Sequence, residues 1–381
     1  MPKKQRGGNE VKKTRFVGGK RSWHQGRILL SLLLLLALLA VGGCGKTSPT
    51  STTPKEAPKK SQTQTIELRL AHFWPSTHPA EVELVQPWSK AIEEATGGKV
   101  KIVSYPNQTL LQADSIYDGV LNGIADIGIS CFSYTRNGFP VLEVFELPGI
   151  TYESSRVAST VAWEGIKELN PKEVQDSKLM MVLTTGPGDI YSKVPVRNLQ
   201  DLKGLEIRAT GLSAKTLQAL GATPVAMPQS DAYESLSKGV VKANLGPVEV
   251  LKGWKQAEVT QYLTQTPFLY NTLFFVTMNL DKWNSLDPET QKAIEKVNEK
   301  FFKEVAAGLW DKQNDEALKW AVDEKGMELI QLPADEAQRW IELVKPIQDD
   351  FVKRMDKQGF EGAKILNTAK TLADKYNKEF K

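Results

Sequence analysis

The chain has 381 residues, 41% of them hydrophobic and 25% charged, which is enough for two α/β domains with cores of their own. Its formal net charge of +4 is unevenly spread. Residues 1–43 hold nine basic side chains against Glu10, a balance of +8, so the remainder carries −4. A mildly acidic body without a basic stripe argues against nucleic acid as a partner.

The front end accounts for the imbalance. Basic residues up to Arg27 precede a leucine-rich run, Ile28 to Val41, that closes on Val41-Gly42-Gly43-Cys44. A basic stretch, an apolar stretch and small residues make a secretory signal over 1–43. The apolar run falls short of the roughly 20 residues that a spanning helix needs. The cysteine after two glycines resembles the lipobox of bacterial lipoproteins, which implies that Cys44 is lipidated; the alternative is an uncleaved membrane anchor. Both place the body outside the cytoplasmic membrane. With Cys44 lipidated, Cys131 has no intramolecular partner and reads as a small buried hydrophobe. Residues 44–64, rich in Ser, Thr, Pro and Lys, read as a flexible tether.

The body begins with a strand, Ile66 to Phe73, broken by Trp74-Pro75. A helix over 80–96 contains Pro87, which predicts a kink or early break. A strand over 99–105, a helix over 114–122 and a strand over 124–130 follow. This order predicts right-handed βαβ units and a parallel sheet. Ligands of such sheets sit beyond the carboxyl ends of the strands, where Phe73-Trp74, Asn107-Gln108 and Cys131 to Tyr134 converge. Glu143 to Ile150 reads as a loop, Ser154 to Leu169 as a helix and Lys178 to Thr184 as an apolar strand. Thr185 to Tyr191 is a glycine-rich connection that lacks the Gly-Lys-Ser/Thr of a phosphate loop.

The stretch Leu199 to Arg208 is a polar turn, a glycine and a short strand ending near an arginine. An arginine there can hold a carboxylate through two parallel hydrogen bonds, or it can pair at the surface with Glu206 or Asp201. A helix over 213–220, a strand over 223–227 and a helix over 232–238 repeat the βα style. Short strands over 240–244, 262–266 and 273–279 and a helix over 251–260 continue it, so that two α/β lobes fit the length. Asp287-Pro288 starts a helix that the pattern carries to about Glu324, long enough to brace both lobes. A further helix spans 334–357, and a terminal one covers 363–380. The expected division is lobe I over 65–186 plus about 274–313, lobe II over 187–273 plus about 314–358, and a C-terminal tail over 359–381.

The body resembles the solute-binding subunit, DctP type, of tripartite ATP-independent periplasmic (TRAP) transporters. The resemblance rests on Gly119 to Gly128, Asp201-Leu202-Lys203-Gly204-Leu205-Glu206-Ile207-Arg208, Gly221 to Met227, and Asp231 to Leu236 with Gly239-Val240-Val241, in order over about 66–330. It implies a periplasmic binding protein-like α/β fold, two lobes closing over a small organic acid, and docking to TRAP membrane subunits. It also implies that Arg208 clamps the ligand carboxylate. Two departures stand out. Many acid binders of the family have another arginine about twenty residues earlier, where this chain has Gly188-Asp189. The acid–asparagine pair that often follows the Val-Asp-Gly turn is replaced by Lys242 to Pro247.

With one strong cation in the cleft, a monocarboxylate with an apolar or aromatic body is the expected ligand. Trp74, Phe132, Tyr134, Gln229, Tyr233 and Asn244 are the other candidate contacts. Phe132 and Tyr134 alternate with Ser133 and are expected on one face. No cofactor is implied. His72 and His78, six apart across Pro75, are a poor metal spacing. An enzyme on the same fold finds no Gly-x-Ser-x-Gly elbow and no histidine near a nucleophile. A binding lipoprotein serving a sensory receptor would look the same as a transport receptor.

Overall fold

The computed structural model describes residues 65–381, so the signal, Cys44 and the tether lie outside the described residues. Two mixed sheets organise the body. The first has strand order β2-β1-β3-β10-β4, with β1 Ile66–His72, β2 Val100–Tyr105, β3 Ile127–Cys131, β4 Ser177–Thr184 and β10 Leu273–Asn279. The second has order β11-β9-β5-β8-β6-β7. Its strands are β5 Asp189–Ser192, β6 Glu206–Ala209, β7 Thr223–Ala226, β8 Ala243–Gly246, β9 Tyr262–Gln265 and β11 Glu328–Gln331. Two lobes of the periplasmic binding protein type result.

The parallel expectation holds for β2, β1 and β3, but β10 runs antiparallel to both β3 and β4. The second sheet mirrors this, since β5 runs antiparallel to β8 and β9. The reason is connectivity. β5 and β10 are the strands that enter each sheet directly from the other lobe, through 185–188 and 266–272. A chain arriving straight across the gap meets the βαβ strands head-on, so it needs no helical crossover.

The helices differ from expectation where local breakers act. Pro87 sits at the junction of a π-helical turn, Ala80–Val85, with the α-helix Gln86–Ala95, in the first turn of that helix, where a missing N–H is tolerated. The long brace is two helices, Pro288–Glu304 and Leu309–Asp323, separated by a 3₁₀ turn at Ala306–Gly308. A Cβ at Gly308 would stand 2.8 Å from a guanidinium nitrogen of Arg156, which uses the break to reach the Lys303 carbonyl.

The helix expected over 334–357 divides before Pro346, and its two parts serve different cores. Trp340 and Val344 bury into the second lobe. Phe351 and Met355, expected with that lobe, pack into the core of the first. The terminal helix Gly362–Glu379 joins them there through Ile365, Ala369 and Ala373. Burial of side chains this size contributes about 1.5–3 kcal/mol each for the larger aliphatics, so the C-terminal tail is part of the first lobe's core.

Candidate functional site

The site starts from strand register. Arg208 on β6 is paired with Asn244 on β8, which is paired with Tyr191 on β5. Residues opposite one another in a sheet share a face, so the three side chains form one row across the second sheet. All three are buried, and Arg208 is only 1% exposed.

A guanidinium this deep needs its donors satisfied. Arg208 Nε donates to the Met227 carbonyl at 3.0 Å, and Nη1 donates to Gln229 Oε1 at 3.1 Å and Asn244 Oδ1 at 3.4 Å. Nη2 donates to the Tyr134 hydroxyl at 3.3 Å. All these partners are uncharged, and neither expected surface partner takes part: Asp201 accepts from the Arg197 amide, while Glu206 is exposed. Asn244 passes the network on by donating to Gln256 Oε1 at 2.9 Å. Two amide donors at its edge, Gln229 Nε2 and Gln256 Nε2, are buried without a partner. A buried cation without an acid, flanked by idle donors, suits an anion of carboxylate geometry.

Tyr134 brings the first lobe to this network. It sits on a 3₁₀ turn, Phe132–Tyr134, that follows β3. Its hydroxyl also accepts from the Gln229 amide at 2.9 Å, so it closes the gap between the lobes at two points. Burial pushes its phenol well above the ordinary range, which keeps it neutral beside the guanidinium. Phe132 and Tyr134 do not present one strand face, because the backbone turns. Phe132 packs edge-on against Phe139 and Phe275, while Tyr134 faces Phe73 and the arginine. Both nevertheless line a cavity of about 320 Å³ between the lobes. Its walls include Phe139, Leu142, Glu146 and Leu273 from one lobe and Leu212, Met227 and Pro228 from the other, with the charged Asp114, Arg136, Glu143 and Lys215 also on the lining.

The remaining candidates fall elsewhere. Trp74 is 1% exposed in an aromatic cluster with His78, Phe274 and Trp310, one layer behind Phe73 and Tyr134. Tyr233 turns away from the network: Ala232 and Leu236 take the buried face of its helix, and its hydroxyl donates to Glu258 at the surface. Sequence reading missed Gln256 and Tyr270. Tyr270 lies in the second crossing segment, where its ring occupies the space beside Gly188. A Cβ at Gly188 would come within 2.5 Å of both the Tyr270 ring and the Gly246 carbonyl. No side chain, and so no second arginine, fits there. Cys131 is fully buried, with its thiol pushed up by burial, as its reading as a small hydrophobe implies.

Comparison with known proteins gives this geometry a family. The family model for bacterial extracellular solute-binding protein family 7 (DctP) matches residues 70–354. A TRAP periplasmic solute-binding protein from Desulfovibrio salexigens is 36% identical; the alignment covers 82% of this chain and 96% of that one, with a TM-score of 0.71. A marine metagenome TRAP solute-binding protein specific for aromatic acid ligands, solved with 3-hydroxybenzoate, is 30% identical over 82% of this chain and 99% of its own, with a TM-score of 0.78. A TRAP solute-binding protein from Rhodoferax ferrireducens, solved with copurified benzoate, is 26% identical over 83% of this chain and 100% of its own, again with a TM-score of 0.78. All three are solute-binding proteins rather than enzymes, and two of them hold aromatic acids. The chain belongs to bacterial extracellular solute-binding protein family 7, as a DctP-type solute-binding subunit of a TRAP transporter.

Proposed function

We propose that this receptor binds a monocarboxylate with an apolar or aromatic body between its lobes and delivers it to TRAP membrane subunits. The observation that carries the reading is the buried Arg208 held only by neutral groups, beside the idle donors of Gln229 and Gln256. The ligand carboxylate replaces the Tyr134 hydroxyl on Nη2 and takes up those donors. Asn244 orients the guanidinium from the neighbouring strand, and Tyr134 and Phe132 offer ring surface to the ligand body.

Two features favour one carboxylate over two. Tyr270 fills the room beside Gly188 that a second arginine would take, and the cavity offers the ligand body the apolar surface of Phe132, Phe139, Leu142, Leu212 and Leu273. The solved relatives that hold benzoate and 3-hydroxybenzoate support the same ligand class. Lipid on Cys44 and the tether over 44–64 keep the receptor near its membrane partners. Mass spectrometry of small molecules released from the purified protein tests the ligand class. An aromatic or apolar monoacid supports it, and a small polar diacid such as succinate rejects it.

A further inference from the structure

Resting on that reading, we propose that Glu146 is a second ligand-recognition group, whose carboxyl hydrogen-bonds an uncharged polar substituent on the ligand body. Glu146 is 9% exposed and lines the interlobe cavity. The Leu273 amide donates to Oε1 at 2.7 Å, which fixes the side chain, while no protein hydrogen bond is made to Oε2. No basic residue pairs with it among the described residues. Beside the apolar Phe139, Leu142, Leu212 and Leu273 the wall therefore carries a buried polar group held in place by the backbone, whereas Arg136 and Lys215 of the same lining are exposed.

Idle polar atoms lie close by. Asn271 Oδ1 and Thr272 Oγ1, on the segment leading to Leu273, are buried without partners, and so is the hydroxyl of Ser133. The Ser133 hydroxyl is near enough to Glu146 to favour its ionised form slightly, yet makes no bond of ordinary geometry. Tyr134 lines the same cavity as Glu146 and bonds Arg208, so the two groups address one compact region.

The chemistry selects the substituent. Burial pushes the Glu146 carboxyl up to about 8, so near neutral pH it is mostly protonated and both donates and accepts. A hydroxyl or amide on the ligand completes it. A second carboxylate would face a group that ionises only against its surroundings, and a purely apolar body would leave it unmet. The receptor then prefers a hydroxylated or amide-bearing monoacid to the plain one.

Calorimetry with benzoate and its three hydroxy isomers tests this on wild type, Glu146→Gln and Glu146→Leu, with melting curves as a folding check. We expect one isomer to bind wild type about tenfold more tightly than benzoate. We expect Glu146→Gln to retain most of that preference. Glu146→Leu should lose the preference to within about twofold, whatever its affinity for benzoate itself. A preference that survives Glu146→Leu, or wild-type binding of benzoate with no preferred isomer, overturns the role of Glu146 alone. If wild type binds none of the four compounds, the aromatic-acid reading fails and this inference fails with it.

Discussion

The hydroxyl of Tyr134, on the first lobe, stands 3.3 Å from a guanidinium nitrogen of Arg208, on the second. The same oxygen accepts from the Gln229 amide at 2.9 Å. A neutral acceptor thus occupies the position that a ligand carboxylate takes in the account above, and it links the lobes in the ligand's place.

Removing that oxygen separates the two roles. In Tyr134→Phe, two buried donors lose their acceptor, which costs about 1–3 kcal/mol of the closed arrangement. Two-lobe receptors respond to such a loss by shifting population toward the open form. Small-angle scattering of the ligand-free variant should show a larger radius of gyration than wild type, and saturating ligand should abolish the difference. Equal radii without ligand would show that the tyrosine bond does not hold the lobes.

Gly188 leaves no room for a side chain. A Cβ there meets the fixed Gly246 carbonyl and the Tyr270 ring at 2.5 Å each. Backbone cannot yield cheaply, so Gly188→Ala should destabilise the fold by about 1–3 kcal/mol, a drop of several degrees in melting temperature. A melting temperature within a degree of wild type would mean that this crossing has slack.

The opposite side of the interlobe contact holds His78 and Glu249. The Ala80 amide donates to His78 Nδ1 at 3.1 Å, which leaves the proton on Nε2 to donate to Glu249 Oε2, also at 3.1 Å. Both side chains are buried. Glu249→Gln keeps an acceptor oxygen and should cost little, whereas Glu249→Leu strands a buried donor at about 1–3 kcal/mol. Chemical denaturation of the two variants checks the order, and equal losses would contradict it.

Stability should fall as pH rises. Burial pushes Glu146 up to about 8 and Asp189 up to about 7, against ordinary carboxyl values near 4. The folded protein therefore holds protons that the unfolded chain releases above about pH 4, and its stability declines until the folded groups also ionise. The melting temperature should be highest near pH 5, decline through pH 8 and level off above it. Asp189→Asn and Glu146→Gln should each flatten the decline. A melting temperature that rises from pH 5 to pH 8 would reverse the sign of this account.

How far the sequence carried these conclusions depended on range. Arg208 was legible because a turn, a glycine and a strand lie in one short stretch, and Gln229 and Asn244 follow it at element ends. Gln256 was hidden because 251–260 reads as one helix. In fact Lys255 adopts a left-handed conformation (φ 57°), and a 3₁₀ turn then delivers Gln256 to the site. Tyr270 sits in a crossing segment with no periodic signal. Tyr233 was placed in the cleft by position, but the phase of its helix, set by Ala232 and Leu236, turns it outward. The antiparallel course of β5 and β10 comes from two long-range crossings, which strand–helix order does not encode. Trp74 follows a strand end, as cleft residues do, yet Phe73 and Tyr134 stand in front of it.

The most direct test is calorimetry of Arg208→Ala with the acid recovered from the wild-type protein, or with benzoate. Its neutral partners leave no acid stranded by the change, so the variant should still fold, with a ligand-free melting temperature lowered by the lost hydrogen bonds and the space left behind. Its affinity should fall on the order of a hundredfold or more, the loss for removing a buried charge partner. Affinity within about threefold of wild type would contradict the assignment of Arg208 as the carboxylate clamp.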